Sequence, residues 1–379
     1  MKILAAIDSF KGSMTSEQAN QCVKEALPEH AVTCFPIADG GEGTVDAFVN
    51  VMNGEMIARS ITGVNGMPYM GKWGWSEEEK TAVIEVAEGA GIIQADDKKE
   101  TFHPSNHTSH GVGEQILQAL EYGAETIILG LGGSATVDGG VGILQALGVV
   151  FMDSSGQPLP TLPVQLSRIH AIDASNLDKR VNEVNWQIAS DVTNPLLGKK
   201  GAVYIFGEQK GLNQSELPDY DADMKKYAEL VTHVTGNDER DTEGAGAAGG
   251  IGFAALSFFP CQFESGLSLL AEKGELETLI KQADLVITGE GKFDGQSLGG
   301  KVPVGISRLA KQYEVPVILF AGKIEGDHVA IEEENLQALV PIVDAPMTLD
   351  EAMEQGPALL EKAVKRTVHL MAFGERMRH

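Results

Sequence analysis

The sequence predicts an α/β fold, and three observations carry that prediction. Apolar runs such as Ile3 to Ile7 and Ile127 to Leu129 lack polar alternation, the pattern of strands buried on both faces of a parallel sheet. Glycine-rich turns follow these runs, and apolar residues at helical spacing follow the turns. Glycine is abundant, at 44 residues, while aromatic residues make up only 6% of the chain, a composition that fits a soluble α/β protein.

The chain has 379 residues, enough for about two or three domains and more than one hydrophobic core. Its formal net charge of −25 argues against a nucleic-acid partner or an anionic membrane surface. An anionic substrate must therefore be received by local lysines, helix N-termini or a metal, against the field of the whole molecule. Cys22, Cys34 and Cys261 lie far apart and match no metal-ligand spacing. With no signal peptide before the first strand, and no apolar run there long enough for a membrane segment, a reducing cytoplasm is the expected compartment.

Ile3 to Ile7 is the first strand, and Asp8-Ser9-Phe10-Lys11-Gly12-Ser13 is the loop at its carboxyl end, where α/β sheets hold ligands. Thr15 and Gln18 form a capping box for a helix with Ala19, Cys22, Val23, Ala26 and Leu27 on one face, and Pro28 ends it. A strand near Val32 to Ile37 leads into Ala38-Asp39-Gly40-Gly41-Glu42-Gly43-Thr44. Two carboxylates among three glycines point to a substrate or Mg²⁺ role beyond helix capping. A helix bearing Val45, Phe48, Val49 and Met52 follows.

From 55 to 85, short strands alternate with turns at Gly63 to Gly66 and Ser76 to Lys80, a small antiparallel section. This change of style places a domain boundary near residue 65. Ser109 caps a helix carrying Val112, Ile116 and Leu120. His103, His107 and His110 read as solvated loop histidines, because no helix is indicated that would bring the three together on a metal.

The stretch TIILGLGGSATVDGGVG, Thr126 to Gly142, joins a buried strand to a helix of about Gly140 to Leu147. Gly130, Gly132 and Gly133 permit backbone approaches that a Cβ would forbid, and Ser134, Thr136 and Asp138 add polar groups where exposed N–H groups make an anion site. Gly130-x-Gly132-x-x-Ala135 loosely fits a dinucleotide fingerprint. Asp153, near the distance of a ribose-binding acid, is better explained by the surface turn Asp153 to Pro158.

A strand over Gln187 to Ala189 delivers Asp191, with Asn194-Pro195 fixing the turn behind it. Such an Asp is placed either for a general base or for an Asx turn. The helix Asp219 to Val234 reads as solvent-facing. Gly244 to Gly250 opens an apolar helix, which implies close approach to a ligand or to another helix. The strand Asp284 to Thr288 ends in Gly289-Glu290-Gly291-Lys292-Phe293-Asp294. Gly295 to Lys301 has the outline of a phosphate loop, but Val302 replaces the Ser or Thr of a Walker A motif; Lys301 still stands where a helix start contacts phosphate. A helix from about Val304 to Gln312, strands over Val315 to Phe320 and Leu339 to Val343, and an amphipathic helix from about Leu349 to Met371 complete the chain. Carboxylates for Mg²⁺, lysines for developing charge, backbone N–H nests and a candidate base are together the parts of phosphoryl transfer.

Seven segments in order, IDSFKGSMTSEQA, ADGGEGT, GLGGSATVDGGVG, SDVTNPLLGKKGA, FGEQKG, GAGAAGGIG and ITGEGKFDGQSLGGKVP, resemble those of the bacterial glycerate kinases of the first type, over essentially the full chain. Val137 stands where many relatives have Asn, Ser190 replaces a common Cys and Glu208 a common Pro. The resemblance implies ATP-dependent phosphorylation of D-glycerate, usually to the 2-phosphate, without a P-loop. It further implies two α/β domains, a Rossmann-like one interrupted by a flavodoxin-like one, with the active-site cleft between them; the change of style near 65 and the return of α/β style near the C-terminus place the discontinuous domain at 1–65 and 286–379 and the insertion at 66–285.

Under that resemblance, Asp191 is the expected general base and Lys11 the group that neutralises transferred charge. Asp8, Ser9, Asp39, Gly40, Gly41, Glu42, Asn194, Glu290 and Asp294 are expected at the substrate, with Asp39, Glu42, Glu290 and Asp294 also as Mg²⁺ ligands. Gly132, Gly133, Ser134, Ala135, Thr136, Gly246, Gly249, Gly250 and Lys301 are expected at the nucleotide. The rival readings are a nicotinamide-dependent oxidoreductase of a small hydroxy acid and a non-catalytic sugar-acid sensor.

Overall fold

The computed structural model describes residues 1–38, 40–95, 102–160, 163–294, 302–325 and 334–377. Asp39, Lys301 and the glycine-rich run before Lys301 lie outside the described residues. The strands are β1 (Lys2–Ile7), β2 (Ala31–Cys34), β3 (Glu55–Thr62), β4 (Pro68–Ser76), β5 (Thr81–Glu85), β6 (Thr126–Gly130), β7 (Val150–Met152), β8 (Ala171–Asp173), β9 (Asn185–Ala189), β10 (Cys261–Glu264), β11 (Leu285–Phe293), β12 (Val317–Ile324) and β13 (Leu336–Pro341). The chain forms two compact units, Met1–Ala38 with Leu267–His379, and Asp39–Gly266.

In the first unit the sheet order is β13-β12-β11-β1-β2, every pair parallel. Counted within the unit this is 2-1-3-4-5, the flavodoxin variant of the doubly wound sheet, the label that had been expected for the inserted part. Its switch point lies between β1 and β11. Ile3, Ala5, Ile7, Ile287 and Phe320 are buried with Ala19 and Val23 of the helix Ser16–Ala26 and with Leu360, Ala363 and Val364 of the C-terminal helix. The Thr15–Gln18 capping box is present. Two polar side chains inside this helix also face the core: Ser16 Oγ donates to the Ile7 carbonyl at 2.6 Å, and Asn20 Oδ1 accepts from Ile7 N–H at 3.0 Å. The end of β1 is thereby tied down.

Two differences from the sequence reading have local causes. β11 continues to Phe293, past Thr288, because Gly289 fits the ladder beside Phe320, whose carbonyl oxygen would lie 2.3 Å from an added Cβ. The C-terminal helix is two helices, Leu349–Glu354 and Gly356–Arg376. Gly356 sits 2.1 Å, at its absent Cβ, from Ser13 Oγ, and Pro357 restarts the helix in its first turn.

In the second unit the sheet order is β10-β9-β6-β5-β4-β3, with β10, β9, β6 and β5 parallel and the β3–β4–β5 meander antiparallel. β3 begins before residue 65 yet pairs in this sheet. Glu85, Gly130, Ala189 and Glu264 stand in one row across the parallel strands. The core is built on Trp73, Trp75 and Trp186, with Trp186 stacked on Phe259 at 4.4 Å between ring centroids. The Asp153 turn is as expected, Oδ1 accepting from Ser155 N–H at 2.8 Å and Gln157 N–H at 3.0 Å.

The charged helix, Leu217–Thr235, is not solvent-facing all round: it buries Met224, Tyr227, Ala228 and Val231. His107 is not solvated but buried, with Nδ1 3.1 Å from the Ala135 carbonyl oxygen, and His103 Nε2 lies 3.2 Å from Glu216 Oε1. Ser109 precedes the helix His110–Tyr122 without capping it, because its hydroxyl is committed to Asp138.

Candidate active site

At the switch point of the first unit, Asp8 N–H donates to the Gly289 carbonyl at 2.9 Å, and Ser9 N–H donates to Asp8 Oδ1 at 2.7 Å. The Asp8 carboxylate thus folds over its own turn. Phe10 and Met14 pair across the Lys11-Gly12-Ser13 turn, with N–H to carbonyl distances of 2.9 and 3.1 Å, and Lys11 is left exposed at its tip. Gly12 takes φ +78°, which a Cβ would strain. An added Cβ on Gly291 would lie 3.5 Å from Phe10 Cα and 3.6 Å from the Lys11 nitrogen, so the loop runs beside Gly291 and next to buried Glu290. Asp8, Ser9, Lys11 and Glu290 are therefore brought together at the carboxyl edge where doubly wound sheets bind ligands. Asp294 lies farther along and is paired with Lys292 at 3.1 Å; Lys292 also meets Glu325 at 2.8 Å, and these two partners hold its ammonium above the usual lysine range.

The second unit brings another set to its own strand ends. Gly132 N–H donates to the Gly40 carbonyl at 2.8 Å, and Leu131 N–H to that of Ala189 at 3.2 Å. A Cβ on Gly40, whose φ is +91°, would lie 2.4 Å from the Ala189 oxygen, and one on Gly132 would lie 2.4 Å from Gly41 Cα. Only glycine permits turns packed this closely. Exposed Glu42 follows, its Cγ 3.9 Å from the Cβ position of Gly133, and exposed Asp191 leaves β9 two residues beyond Ala189. Gly40, Gly41, Glu42, Gly132, Gly133 and the root of Asp191 thus share one edge.

Of the remaining described residues expected at the site, all but the half-buried Asn194 are buried. Ser134, Ala135 and Thr136 are buried, and Ala135 N–H donates to the Ala90 carbonyl at 2.8 Å. Asn194 Nδ2 donates to the Lys200 carbonyl at 2.8 Å, and the Asn194 carbonyl accepts from Gly246 N–H at 2.9 Å. Gly249 approaches the Thr136 carbonyl oxygen to 2.0 Å at its Cβ position, and Gly250 approaches Gly139 Cα to 2.9 Å. What these glycines of the 244–250 run receive is neighbouring backbone.

Three buried groups line this edge from within: Asp138, expected among the polar groups of the anion site, and Glu85 and Lys210, to which the sequence assigned no role. Glu85 ends β5 only 6% exposed and accepts from Val45 N–H, at the start of the helix Thr44–Val51, at 2.5 Å. Burial pushes its carboxyl up to about 8, against the pull of that N–H, with Asp46 and Glu88 adding to the rise. Asp138 is filled by Ser109 Oγ at 2.7 Å and by the N–H groups of Ser109, Gly140 and Gly142, and so works as an internal anchor. Lys210, 3% exposed, donates from Nζ to Ser134 Oγ at 2.6 Å. The FGEQKG motif singled out its position, but its burial was not readable from residue type.

The sequence model of the glycerate kinase family matches residues 3–372. The chain belongs to the glycerate kinase family. It is 40% identical over 370 residues to a glycerate kinase of Bacillus subtilis (strain 168), covering 96% of each chain. It is 38% identical over 380 aligned positions to the glycerate 2-kinase of Escherichia coli (strain K12), covering 99% of each. A crystal structure described as that of a "putative glycerate kinase 2" from Salmonella typhimurium LT2 matches the fold with a TM-score of 0.84 at 36% identity, covering 99% of both chains. As a glycerate kinase family member the chain is a kinase. No helix among the described residues is long and apolar enough to cross a membrane.

Proposed function

We propose that this chain transfers the γ-phosphoryl group of ATP to the 2-hydroxyl of D-glycerate, giving 2-phosphoglycerate and ADP in the cytoplasm. The observation that carries the reading is the grouping of Asp8, Lys11 and Glu290 at the switch point of a doubly wound sheet, in a chain whose relatives include glycerate kinases. The choice of the 2-hydroxyl rests on the relative named a glycerate 2-kinase. We take the two compact units as the two domains, the second inserted in the first.

Asp191, an exposed carboxylate beyond the end of β9, takes the proton of the attacking hydroxyl. Lys11, exposed at the tip of its turn, neutralises the charge of the group in transfer. The turn at Gly132 and Gly133 receives the nucleotide phosphates, the Gly132 N–H itself being kept by the Gly40 carbonyl, while Gly246, Gly249 and Gly250 support that loop through Asn194 and through Thr136 to Gly139. Asp8 and Ser9 bind glycerate. Lys301 and Asp39 are assigned to phosphate and to metal or substrate on sequence alone.

Among the described residues no group of three or more His, Cys, Asp and Glu side chains is arranged around one metal position. The donor chemistry nevertheless fits Mg²⁺, which is usually held by one or two carboxylates together with substrate phosphates and waters. Within the first unit Glu290, with Asp294 beside it in sequence, would supply such a carboxylate, and within the second Glu42, with Asp39 beside it in sequence, would do the same. When bound, Mg²⁺ would neutralise charge on the phosphate oxygens.

The test is purified protein with D-glycerate and Mg-ATP, ADP being followed by a coupled assay and the product by phosphorus NMR. ADP formed only when glycerate is present, with the coupling pattern of a 2-phosphate, is the expected result. Folded protein that makes no ADP with glycerate or related hydroxy acids would overturn the proposal and favour a sensor. A nicotinamide absorbance change with glycerate and no ATP would favour an oxidoreductase instead.

A further inference from the structure

The segment Gly133 to Thr136 is held by donors from three separate elements. Lys210 Nζ donates to Ser134 Oγ at 2.6 Å and to the Thr136 carbonyl at 3.0 Å. His107, 3% exposed, places Nδ1 3.1 Å from the Ala135 carbonyl oxygen. Ile92 N–H donates to the Gly133 carbonyl at 3.0 Å. In a trans peptide the C=O and the following N–H point in opposite directions. Donors that fix the carbonyls of Gly133, Ala135 and Thr136 therefore also fix the directions of the N–H groups of Ser134, Thr136 and Val137.

Lys210 is the costly member of this set. An ammonium taken out of water is unfavourable, and burial pushes this one down to about 7, with Asp138 pulling it back. An apolar side chain of the same length would fill the space without that cost. What it could not do is hold a hydroxyl and a carbonyl of one loop at once. Lys210 cannot itself reach a ligand, because it is 3% exposed.

We propose that Lys210 is a positioning residue for nucleotide binding: through Ser134 and Thr136 it sets the Gly132–Thr136 loop in the conformation that receives the ATP phosphates. This rests on the reading above that the loop belongs to the nucleotide site.

The test varies ATP and glycerate separately and measures ADP binding by calorimetry without glycerate. Wild-type protein is measured first: if it binds ADP, the nucleotide reading stands, and if it does not, both that reading and the role of Lys210 fall together. Lys210→Met removes both hydrogen bonds and keeps the apolar stem. It should raise KM for ATP, and weaken ADP binding, by about tenfold or more, while KM for glycerate stays within about twofold. Lys210→Arg should recover part of the loss. Ser134→Ala, which removes one acceptor and leaves Lys210 in place, should raise KM for ATP about threefold and carries the test if the methionine variant fails to fold by circular dichroism. Folded variants with wild-type ADP affinity and KM for ATP, whatever their melting temperatures, would overturn the proposal, as would a loss confined to KM for glycerate.

Discussion

Ser109 Oγ donates to Asp138 Oδ2 at 2.7 Å and accepts from Ile143 N–H at 3.1 Å, so one hydroxyl joins the start of the helix His110–Tyr122 to that of Val141–Ala146. Both residues are buried. Removing the hydroxyl leaves a buried carboxylate and a buried N–H each short of a partner. Ser109→Ala should cost about 1–3 kcal/mol of stability, read as a lower urea midpoint at unchanged slope. A midpoint equal to wild type would show that the hydroxyl is replaceable by water.

Glu85 and Lys210 bend the pH dependence of stability in opposite directions. Glu85 sits at about 8 in the folded chain, so above roughly pH 4.3 the folded state keeps a proton that the unfolded chain loses. Stability from this group falls as pH rises from there through 8. Lys210 sits at about 7, below its unfolded value of roughly 10.4, so its contribution is lost as pH falls toward 7 and recovers as pH rises above it. Glu85→Gln keeps an oxygen for Val45 N–H and should be more stable than wild type at pH 8–9 by roughly a few kcal/mol, with the gain vanishing near about pH 4. Urea melts at a series of pH values check this; an equal gain at both ends of the range would mean that Glu85 is ionised in the fold.

Asp191→Asn should lower turnover by about 10²–10⁴-fold, the range expected for loss of a positioned base. The side chain is exposed, so the melting temperature should move little. Single-turnover ADP formation is the readout. Turnover within about tenfold of wild type would take the base role away from Asp191.

Gly249→Ala should unfold far more easily than a matched control. Its φ of +69° costs an L-residue about 1–2 kcal/mol, and the added Cβ would meet the Thr136 carbonyl oxygen at 2.0 Å. Gly236 has a similar φ, +78°, with nothing within 4 Å of its Cβ position. Gly236→Ala therefore reports the backbone term alone. Melting curves of the pair that coincide would show that the Gly249 loop moves aside without cost.

The sequence by itself determined what neighbours along the chain decide. The strands at Ile3 to Ile7 and Ile127 to Leu129, the Thr15–Gln18 capping box and the Asp153 turn depend on contacts within a few residues, and so do the glycine turns at the strand ends. The ordered motifs also sufficed to place the chain in its family. Only the tertiary structure decided that β1 lies against β11, some 280 residues later in the chain, and so that Lys11 runs beside Gly291 and Glu290. The same holds for the polar groups that the sequence left unassigned or read as solvated. Burial, and with it the charge of Glu85, Lys210 and His107, depends on what packs over a side chain from distant segments, and no local pattern of residue types records that.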